Sequence, residues 1–194
     1  LAKKGYKILG MDASEKMLKI AKEKIAKENV NITLKKADVS GFKTSKKFDF
    51  AMAMFNIAGY MTENTAMEGM LKGMQTSLKK GGLCVFDCWY GPAVLKDRPQ
   101  NRERELEKGL VRKTTQVLDI EKSIIDIRFE IIKDRKKITQ ENHPMRFWYL
   151  KELEYFLIKN GFSLIKVGNF MDINSKVSED NWNYDYEIYE TADY

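Results

Sequence analysis

The stretch Phe48-Asp-Phe-Ala-Met-Ala-Met-Phe55 is an almost unbroken apolar run in a chain of 194 residues. A run of this length and composition is typical of a strand that is buried on both faces of a parallel sheet. The next segment has the apolar spacing of a helix, which Lys79-Lys-Gly-Gly82 is expected to end, and residues 83–89 form another apolar run. The helix face consists of Met67, Met70, Leu71, Met74 and Leu78. This order predicts two parallel strands joined by a right-handed crossover.

The same order precedes this unit. Residues 6–11 form a short apolar run, Ser14 is the expected N-cap of a helix, and residues 31–37 form the next predicted strand. Residues 1–92 therefore predict an α/β fold with a mostly parallel sheet.

The pattern changes after Pro92. Residues 96–108 are charged and lack an apolar stripe, which predicts an irregular connection. Residues 125–131 alternate apolar and charged side chains, as an antiparallel strand with one wet face does. With residues 110–118 and 137–148 as its neighbours, this strand predicts an antiparallel meander within an insertion spanning residues 93–149.

The last part of the chain predicts a closing helix and two strands. Residues 150–160 have a helical apolar face that ends at Gly161, and residues 162–170 and 184–191 have the composition of strands. We therefore expect a single domain, residues 1–194, made of a core (1–92), the insertion (93–149) and a closing segment (150–194).

Composition excludes several classes of protein. No stretch approaches eighteen uninterrupted apolar residues and no basic-then-apolar leader is present, so we expect a cytoplasmic protein. With a single histidine, Cys84 and Cys88 cannot complete a four-ligand zinc site, and we predict that they are buried thiols and that the protein uses no metal.

Charge is unevenly distributed. Residues 1–47 carry thirteen lysines against five acids, whereas residues 172–194 carry one lysine against seven acids. A positive field can attract phosphorylated substrates or nucleic acid. The lysines of residues 16–27, however, alternate with apolar side chains at helical spacing, which favours a solvated helix face.

Two acids follow the first two predicted strands. Asp12 and Asp38 stand at the carboxyl ends of those strands, the edge at which open α/β sheets bind ligands. Asp12 in this position can accept hydrogen bonds from both hydroxyls of a ribose, and Asp38 can accept one from an adenine amino group. Each also has a structural interpretation, Asp12 as an acid at a helix start and Asp38 as a turn former.

Taken together, these segments resemble the class I S-adenosylmethionine-dependent methyltransferases. The resemblance covers nearly the whole chain and rests on Gly10-Met-Asp-Ala-Ser-Glu-Lys-Met-Leu18, Ala37-Asp38, the run from Phe48, and Lys80-Gly-Gly82 before a strand. It implies a Rossmann-like sheet with an antiparallel closing strand, and S-adenosylmethionine as the cofactor. The site residues that it implies for this cofactor are Asp12 on the ribose, Asp38 on the adenine amino group, Met17 and Val39 on the adenine faces, Ala13 beside Asp12, and Met54 and Phe55 beside the methionine part.

Two further segments resemble the N-methyltransferases that act on nucleotide-linked amino sugars. These are residues 54–60 and residues 141–148, with residues 87–92 also similar. The resemblance implies direct methyl transfer, without a metal, to nitrogen or oxygen of a small polar molecule. The chain lacks the Asn-Pro-Pro-Tyr signature of amino-directed nucleic-acid methyltransferases, since Ile57 follows Asn56, and we expect neither nucleic acid nor a membrane as a partner.

The acceptor site is expected to use residues of these segments. His143, the only histidine, can deprotonate or position the acceptor. The fork of Arg146 suits a phosphate or carboxylate. Aromatic side chains suit a sugar or base face, and the candidates are Tyr60, Trp89, Tyr90 and Trp148. His143 also fits a structural role, the aromatic residues fit a place in the core, and Arg146 fits a solvent-facing strand.

The sequence departs from the family at its beginning. Leu1-Ala-Lys-Lys-Gly5 reads as the last turn of a helix, and the family's glycine-rich loop, first strand and most of its first helix have no counterpart. We therefore expect a fragment of a longer parent chain, with self-association through the missing-strand gap. Two other functions stay open: a non-catalytic remnant that acts as a binding or scaffolding module, and a nicotinamide-dependent oxidoreductase, which also places an acid on a ribose.

Overall fold

The computed structural model describes residues 1–169, which contain four α-helices and eight strands. In chain order these are β1 (Ile8–Asp12), α1 (Glu15–Lys27), β2 (Ile32–Lys36), β3 (Phe48–Ala53), α2 (Asn64–Ser77), β4 (Leu78–Phe86), α3 (Gly91–Lys96), β5 (Arg102–Glu105), β6 (Leu110–Asp119), β7 (Ile124–Lys133), β8 (Lys136–Arg146) and α4 (Leu150–Lys159). Short 3-10 turns lie at Ala2–Lys4, Ile57–Tyr60 and Glu107–Gly109. Within this part of the chain, no helix has the length and apolar character needed to cross a membrane.

Two parallel strand pairs form the α/β part. β1 pairs with β2 and β3 pairs with β4, each pair joined through a helix, which confirms the predicted strand–helix–strand order. The two pairs are separate sheets, without a hydrogen-bonded ladder between them. Each of these four strands consequently has one edge that no strand among residues 1–169 covers.

Helix α1 follows the predicted sequence signals closely. Ser14 is its N-cap and its hydroxyl oxygen accepts a hydrogen bond from the Met17 backbone N–H at 3.3 Å. Leu18 is buried, whereas the lysines of the helix are exposed. The solvated-face interpretation of this lysine run is therefore confirmed.

Strand β4 begins earlier than the sequence pattern predicts. The glycine and lysine residues expected to separate helix from strand belong to the strand itself, which starts at Leu78 rather than at residue 83. Phe48 lies opposite Leu78, but Phe50 already lies opposite Leu83, so residues 79–82 form an irregularity in the ladder. Gly81, with φ of +75°, provides the backbone conformation that this irregularity requires.

The second half of the fold is a four-stranded antiparallel sheet in the order β5-β6-β7-β8. The predicted meander is confirmed. The expected irregular connection at residues 96–108 is partly wrong, because Arg102–Glu105 pairs with β6. All four residues of β5 are exposed, so this edge strand has no buried face and left no apolar alternation in the sequence.

Two apolar clusters hold these parts together. The larger one lies where α2 and α4 pack against β3 and β4, and its members include Met67, Met70, Met74, Cys84, Phe86, Cys88, Trp148, Leu153 and Phe156. The smaller one joins α3 to the antiparallel sheet through Ala93, Val94, Ile125, Ile127, Met145 and Phe147. Both cysteines are fully buried, as predicted.

The closing segment agrees with prediction only in its first half. Helix α4 ends where predicted, and Gly161 follows with φ of +78°. Residues 162–168, predicted as a strand together with residues 169 and 170, form no regular strand. Their apolar side chains pack instead against the larger cluster, as Phe162, Leu164 and Val167 do. The second predicted strand, residues 184–191, lies outside the described residues.

The open strand edges predict self-association. On β3, Phe50 and Met52 lie on the same face and are 42% and 49% exposed, so apolar surface lies beside an uncovered edge. We expect residues 1–194 to associate with a concentration dependence that sedimentation velocity detects, and Met52→Lys to weaken it. Ile158→Lys, on the exposed surface of α4, is the matched control and should leave association unchanged. A wild-type chain that stays monomeric at all concentrations would contradict this prediction.

Candidate functional site at the carboxyl ends of the parallel strands

Asp12 is the last residue of β1 and lies half-buried at the carboxyl edge of the first parallel pair. One of its carboxylate oxygens, Oδ1, accepts a hydrogen bond from the Ser14 backbone N–H at 2.8 Å. This bond orients the carboxylate directly before α1. The structural interpretation of Asp12 as a helix-start acid is therefore correct, and the second oxygen, Oδ2, is still available to a ligand.

Asp38 lies just past the end of β2. Because Asp12 is opposite Lys36 in the parallel register, the two acids lie at the same edge of adjacent strands, which are about 4.8 Å apart. Asp38 Oδ1 accepts hydrogen bonds from the Ser40 hydroxyl at 2.7 Å and from the Ser40 backbone N–H at 2.8 Å. These bonds hold the pKa of Asp38 below its ordinary value, the hydroxyl bond having the larger effect.

The apolar residues predicted for the cofactor differ in exposure. Ala13 is exposed, Met17 is 51% exposed, and Val39 is half-buried against the larger cluster. Met54 is half-buried, whereas Phe55 is 80% exposed and has a φ of +66°. A side chain of this size in the left-handed region is rare, and its exposure leaves a large apolar surface open beside the end of β3.

A buried polar pair ties the ends of β3 and β4 together. The Asn56 backbone N–H donates to Asp87 Oδ2 at 2.6 Å, and Asn56 Oδ1 accepts from the Trp89 backbone N–H at 3.3 Å. Asp87 is 1% exposed and Asn56 7%. Neither residue was among the predicted site residues. The signal that could have found them is a polar residue near the end of each apolar run, Asn56 directly after the first and Asp87 within the second.

His143 and Tyr60, predicted to share the acceptor site, are in contact. The Tyr60 hydroxyl lies 3.0 Å from His143 Nδ1, and His143 Nε2 lies 3.5 Å from Glu141 Oε2. Burial raises the pKa of the Tyr60 hydroxyl, and the nearby Glu141 carboxylate raises it further. Tyr60 therefore stays protonated at neutral pH and is able to donate a hydrogen bond.

Arg146 does not present a free fork, which corrects the prediction that it binds the acceptor. Its Nη1 donates to the Thr62 carbonyl at 3.1 Å and to Asn64 Oδ1 at 2.8 Å, and its Nη2 donates to the Glu152 carboxylate. The side chain is only 11% exposed. Its guanidinium is therefore committed to contacts within the chain.

Trp148 also lies elsewhere than predicted. It is fully buried in the larger cluster, its indole N–H donates to the Ala58 carbonyl at 3.1 Å, and the Arg146 guanidinium lies 3.9 Å from its ring centroid. Its size and burial make it a core residue rather than a wall of the pocket. Trp89 and Tyr90 are half-buried and pack against the smaller cluster.

The site as described has two parts. Along the first parallel pair, the structure places together Asp12, Ala13 and Met17, with Asp38 and Val39 at the end of the neighbouring strand. After β3 it places Met54, Phe55 and Tyr60, with His143 reaching Tyr60 from β8. Among residues 1–169, no group of three or more His, Cys, Asp and Glu side chains is arranged to hold a metal ion.

These residues fit the adenosyl part of S-adenosylmethionine. Two carboxylates with an available oxygen each match hydroxyl and amino donors, and the exposed Met17 side chain supplies an apolar surface for a purine ring. Phe55 offers a second apolar surface after β3.

Comparison with known proteins points the same way. Residues 1–82 match the family model of a methyltransferase domain. The dTDP-3-amino-3,4,6-trideoxy-alpha-D-glucopyranose N,N-dimethyltransferase of Streptomyces venezuelae is 26% identical over 88 residues, which are 45% of this chain and 35% of that protein. The match therefore spans about a third of the length of this curated relative.

Solved structures are similar over nearly the whole chain. An S-adenosylmethionine-dependent methyltransferase from Clostridium acetobutylicum superimposes with a TM-score of 0.83 at 16% identity, covering 96% of this chain and 75% of that one. The CcbJ methyltransferase from Streptomyces caelestis gives 0.83 at 18% identity, covering 99% and 77%. At these identities the similarity establishes the fold.

The contacts of Asp38 predict its titration. Ser40→Ala removes the hydroxyl bond, so the pKa of Asp38 should rise towards 3.8 while the backbone bond keeps it somewhat lower. Carboxyl-detected NMR titration measures this shift, and Ser45→Ala, an exposed serine of the same loop, is the control. An unchanged titration of Asp38 would show that the hydroxyl bond is absent in solution.

The contacts of Arg146 predict a loss of stability. Arg146→Ala leaves the Glu152 carboxylate and the Thr62 carbonyl without their charged donor, which should lower the free energy of unfolding by about 2 kcal/mol. Urea denaturation measures the loss, and Arg128→Ala, an exposed arginine on β7, should cost less than about 0.5 kcal/mol. Equal midpoints for the two variants would contradict the structural role.

Proposed function

We propose that this chain belongs to a class I S-adenosylmethionine-dependent methyltransferase that methylates nitrogen or oxygen of a small polar molecule, and the domain match of residues 1–82 and the fold support this. The observation that carries the proposal is the pair of carboxylates, Asp12 and Asp38, at the ends of two paired parallel strands. Ligands of open α/β sheets bind at this edge.

The cofactor side is assigned to the residues along β1, β2 and the end of β3. Asp12 would accept from the ribose hydroxyls and Asp38 from the adenine amino group, while Met17 and Val39 would pack on the adenine ring. Ala13 would lie beside the ribose, and Met54 and Phe55 beside the methionine part. Bound S-adenosylmethionine supplies a methyl group activated by a positive sulfonium, so the chain need only hold the acceptor in line and remove a proton.

The acceptor side is assigned to Tyr60 and His143, with Trp89 and Tyr90 as aromatic neighbours. The contact between Tyr60 and His143 brings a proton-accepting ring to the end of the turn that follows β3. The relative from Streptomyces venezuelae acts by name on an amino sugar carried on a nucleotide, which supports a nitrogen acceptor of this class here.

The cofactor assignment predicts weaker binding when the Asp12 charge is removed. In the intact protein that contains this sequence, Asp12→Asn keeps the acceptor for the Ser14 N–H but loses the charged acceptor for the ribose. We expect binding of S-adenosylhomocysteine to weaken about 10- to 150-fold, which corresponds to about 1.5–3 kcal/mol. Isothermal titration calorimetry measures this change.

Asp126→Asn is the matched control, since Asp126 is exposed on β7 and outside the assigned cofactor residues. Unchanged affinity in Asp12→Asn would disprove the placement of the ribose. Binding by the wild-type protein without methyl transfer to any amine or alcohol would favour the alternative of a non-catalytic binding module.

A further inference from the structure

We propose that Tyr60 is the group that contacts the methyl acceptor, and that His143 takes up the acceptor's proton through Tyr60 instead of touching the acceptor itself. This inference rests on the proposed function, since it assigns roles within the same acceptor site. In this proposal His143 is not the direct base. The proton instead passes along a relay of three side chains, Tyr60, His143 and Glu141.

The direction of the relay follows from the two neighbours of the imidazole. Glu141 Oε2 lies 3.5 Å from His143 Nε2, an ionic contact rather than a hydrogen bond, and a carboxylate in this position favours the tautomer with the ring proton on Nε2. In a neutral ring Nδ1 is then an acceptor, and the Tyr60 hydroxyl donates to it over 3.0 Å. Glu141 therefore favours the tautomer in which the Tyr60 hydroxyl donates to His143 Nδ1.

The solvent exposure of the two side chains also favours Tyr60 over His143 as the group that contacts the acceptor. His143 Nδ1 bonds to Tyr60 and Nε2 faces Glu141 at 3.5 Å, while the ring packs against Tyr60 and Phe129 with ring centroids 5.9 and 5.5 Å away. Its side chain is 28% exposed. Tyr60 is 46% exposed, and its oxygen keeps lone pairs after donating to His143. An approaching amine or hydroxyl thus has an acceptor on Tyr60 but none on His143.

The phenol is presented from an anchored turn. Tyr60 ends the 3-10 turn Ile57–Tyr60, whose Ala58 carbonyl accepts from the buried Trp148 indole. At its start the turn is fixed by the bond from Asn56 to Asp87. Because buried groups hold Asn56 before the turn and Ala58 within it, the backbone that carries Tyr60 has a defined position after the carboxyl end of β3.

Among residues 1–169, three charged or titratable groups lie around this ring. From β8, Glu141 faces the ring directly. From β6, the Arg112 guanidinium lies over Phe129, 5.5 Å from its centroid, so that the Phe129 ring lies between Arg112 and His143. Tyr60 is the titratable group that the 3-10 turn contributes. A proton arriving at Nδ1 would give a positive ring paired with the nearest carboxylate.

Bonds, electrons and protons are all accounted for in the proposed methyl-transfer step. The acceptor nitrogen forms a bond to the methyl carbon as the carbon–sulfur bond breaks, and the electron pair of that bond stays on the sulfur. A proton passes from the nitrogen to the Tyr60 oxygen while the Tyr60 proton passes to His143 Nδ1. Tyr60 ends as a neutral phenol, and His143 ends as an imidazolium beside Glu141. The imidazolium later releases its proton to water.

His143 is the single histidine of residues 1–194, and in the intact protein its resonances are identified by their loss in His143→Asn. In the untagged intact protein labelled with nitrogen-15, long-range proton–nitrogen NMR at neutral pH should show a proton on Nε2 and a hydrogen-bonded acceptor at Nδ1. Tyr60→Phe should shift the Nδ1 resonance towards that of an unprotonated imidazole nitrogen that accepts no hydrogen bond. Tyr155→Phe, an exposed tyrosine on α4, is the control and should leave both resonances unchanged. A wild-type ring protonated on Nδ1 would overturn the relay, as would identical spectra for Tyr60→Phe.

A double-mutant cycle tests the roles in turnover, with dTDP-3-amino-3,4,6-trideoxy-alpha-D-glucopyranose as the amine. Tyr60→Phe and His143→Asn should each lower kcat about 10²- to 10⁴-fold, with the affinity for S-adenosylhomocysteine unchanged. Since His143 acts through Tyr60, the double variant should be no slower than the slower single variant. Losses that multiply in the double variant would mean that His143 acts independently and would overturn the relay.

Failure of the proposed function gives a different result. A wild-type protein that neither binds S-adenosylhomocysteine nor methylates the amino sugar would disprove the methyltransferase assignment. In that case the NMR spectra still decide whether Tyr60 donates to His143 Nδ1, so the hydrogen-bond geometry is tested separately from activity.

Discussion

The hydrogen bond from the Asn56 backbone N–H to the Asp87 carboxylate is the constraint on which the position of Tyr60, in the proposed acceptor site, depends. It joins the two residues that follow β3 and β4, and it closes a turn in which Phe55 and Asn56 both have positive φ angles. Such conformations cost about 1–3 kcal/mol each for residues other than glycine, asparagine being the more tolerant. The Asp87 side chain, 1% exposed, accepts the Asn56 backbone N–H at 2.6 Å and thereby offsets this cost.

The same turn couples the antiparallel insertion to the parallel part. Trp148 follows β8, donates its indole N–H to the Ala58 carbonyl, and exchanges backbone hydrogen bonds with the residues after β4. Arg146 stacks on its ring and bonds to the segment between the turn and α2. A displacement of the insertion would therefore displace Tyr60 as well. Through these contacts Arg146, although it is bound within the chain, is connected to the turn that carries Tyr60.

Much of the fold was predictable because its signals are local. The N-cap at Ser14, the apolar run from Phe48 and the alternation in residues 125–131 each depend on a few neighbouring side chains, and the resulting prediction of a class I methyltransferase fold is confirmed. The predictions failed where the sequence has no regular alternation of apolar and polar side chains. Arg102–Glu105 forms a fully exposed edge strand, and residues 79–82 were absorbed into β4 by an irregular register.

The site residues show the same difference between local contacts, which the sequence can predict, and long-range contacts, which it cannot. Asp12 and Asp38 are held by residues two positions away, Ser14 and Ser40, so that a short stretch of sequence places each of them. Tyr60 and His143 meet across 83 positions, and the partners of Arg146 include Thr62 and Asn64, 84 and 82 positions away. Sequence could suggest that these residues belong to one site, but the order of contacts decides their roles. The two terminal nitrogens of Arg146 donate to Thr62, to Asn64 of α2 and to Glu152 of α4. The Tyr60 oxygen, which bonds to His143, keeps lone pairs for the acceptor that we propose.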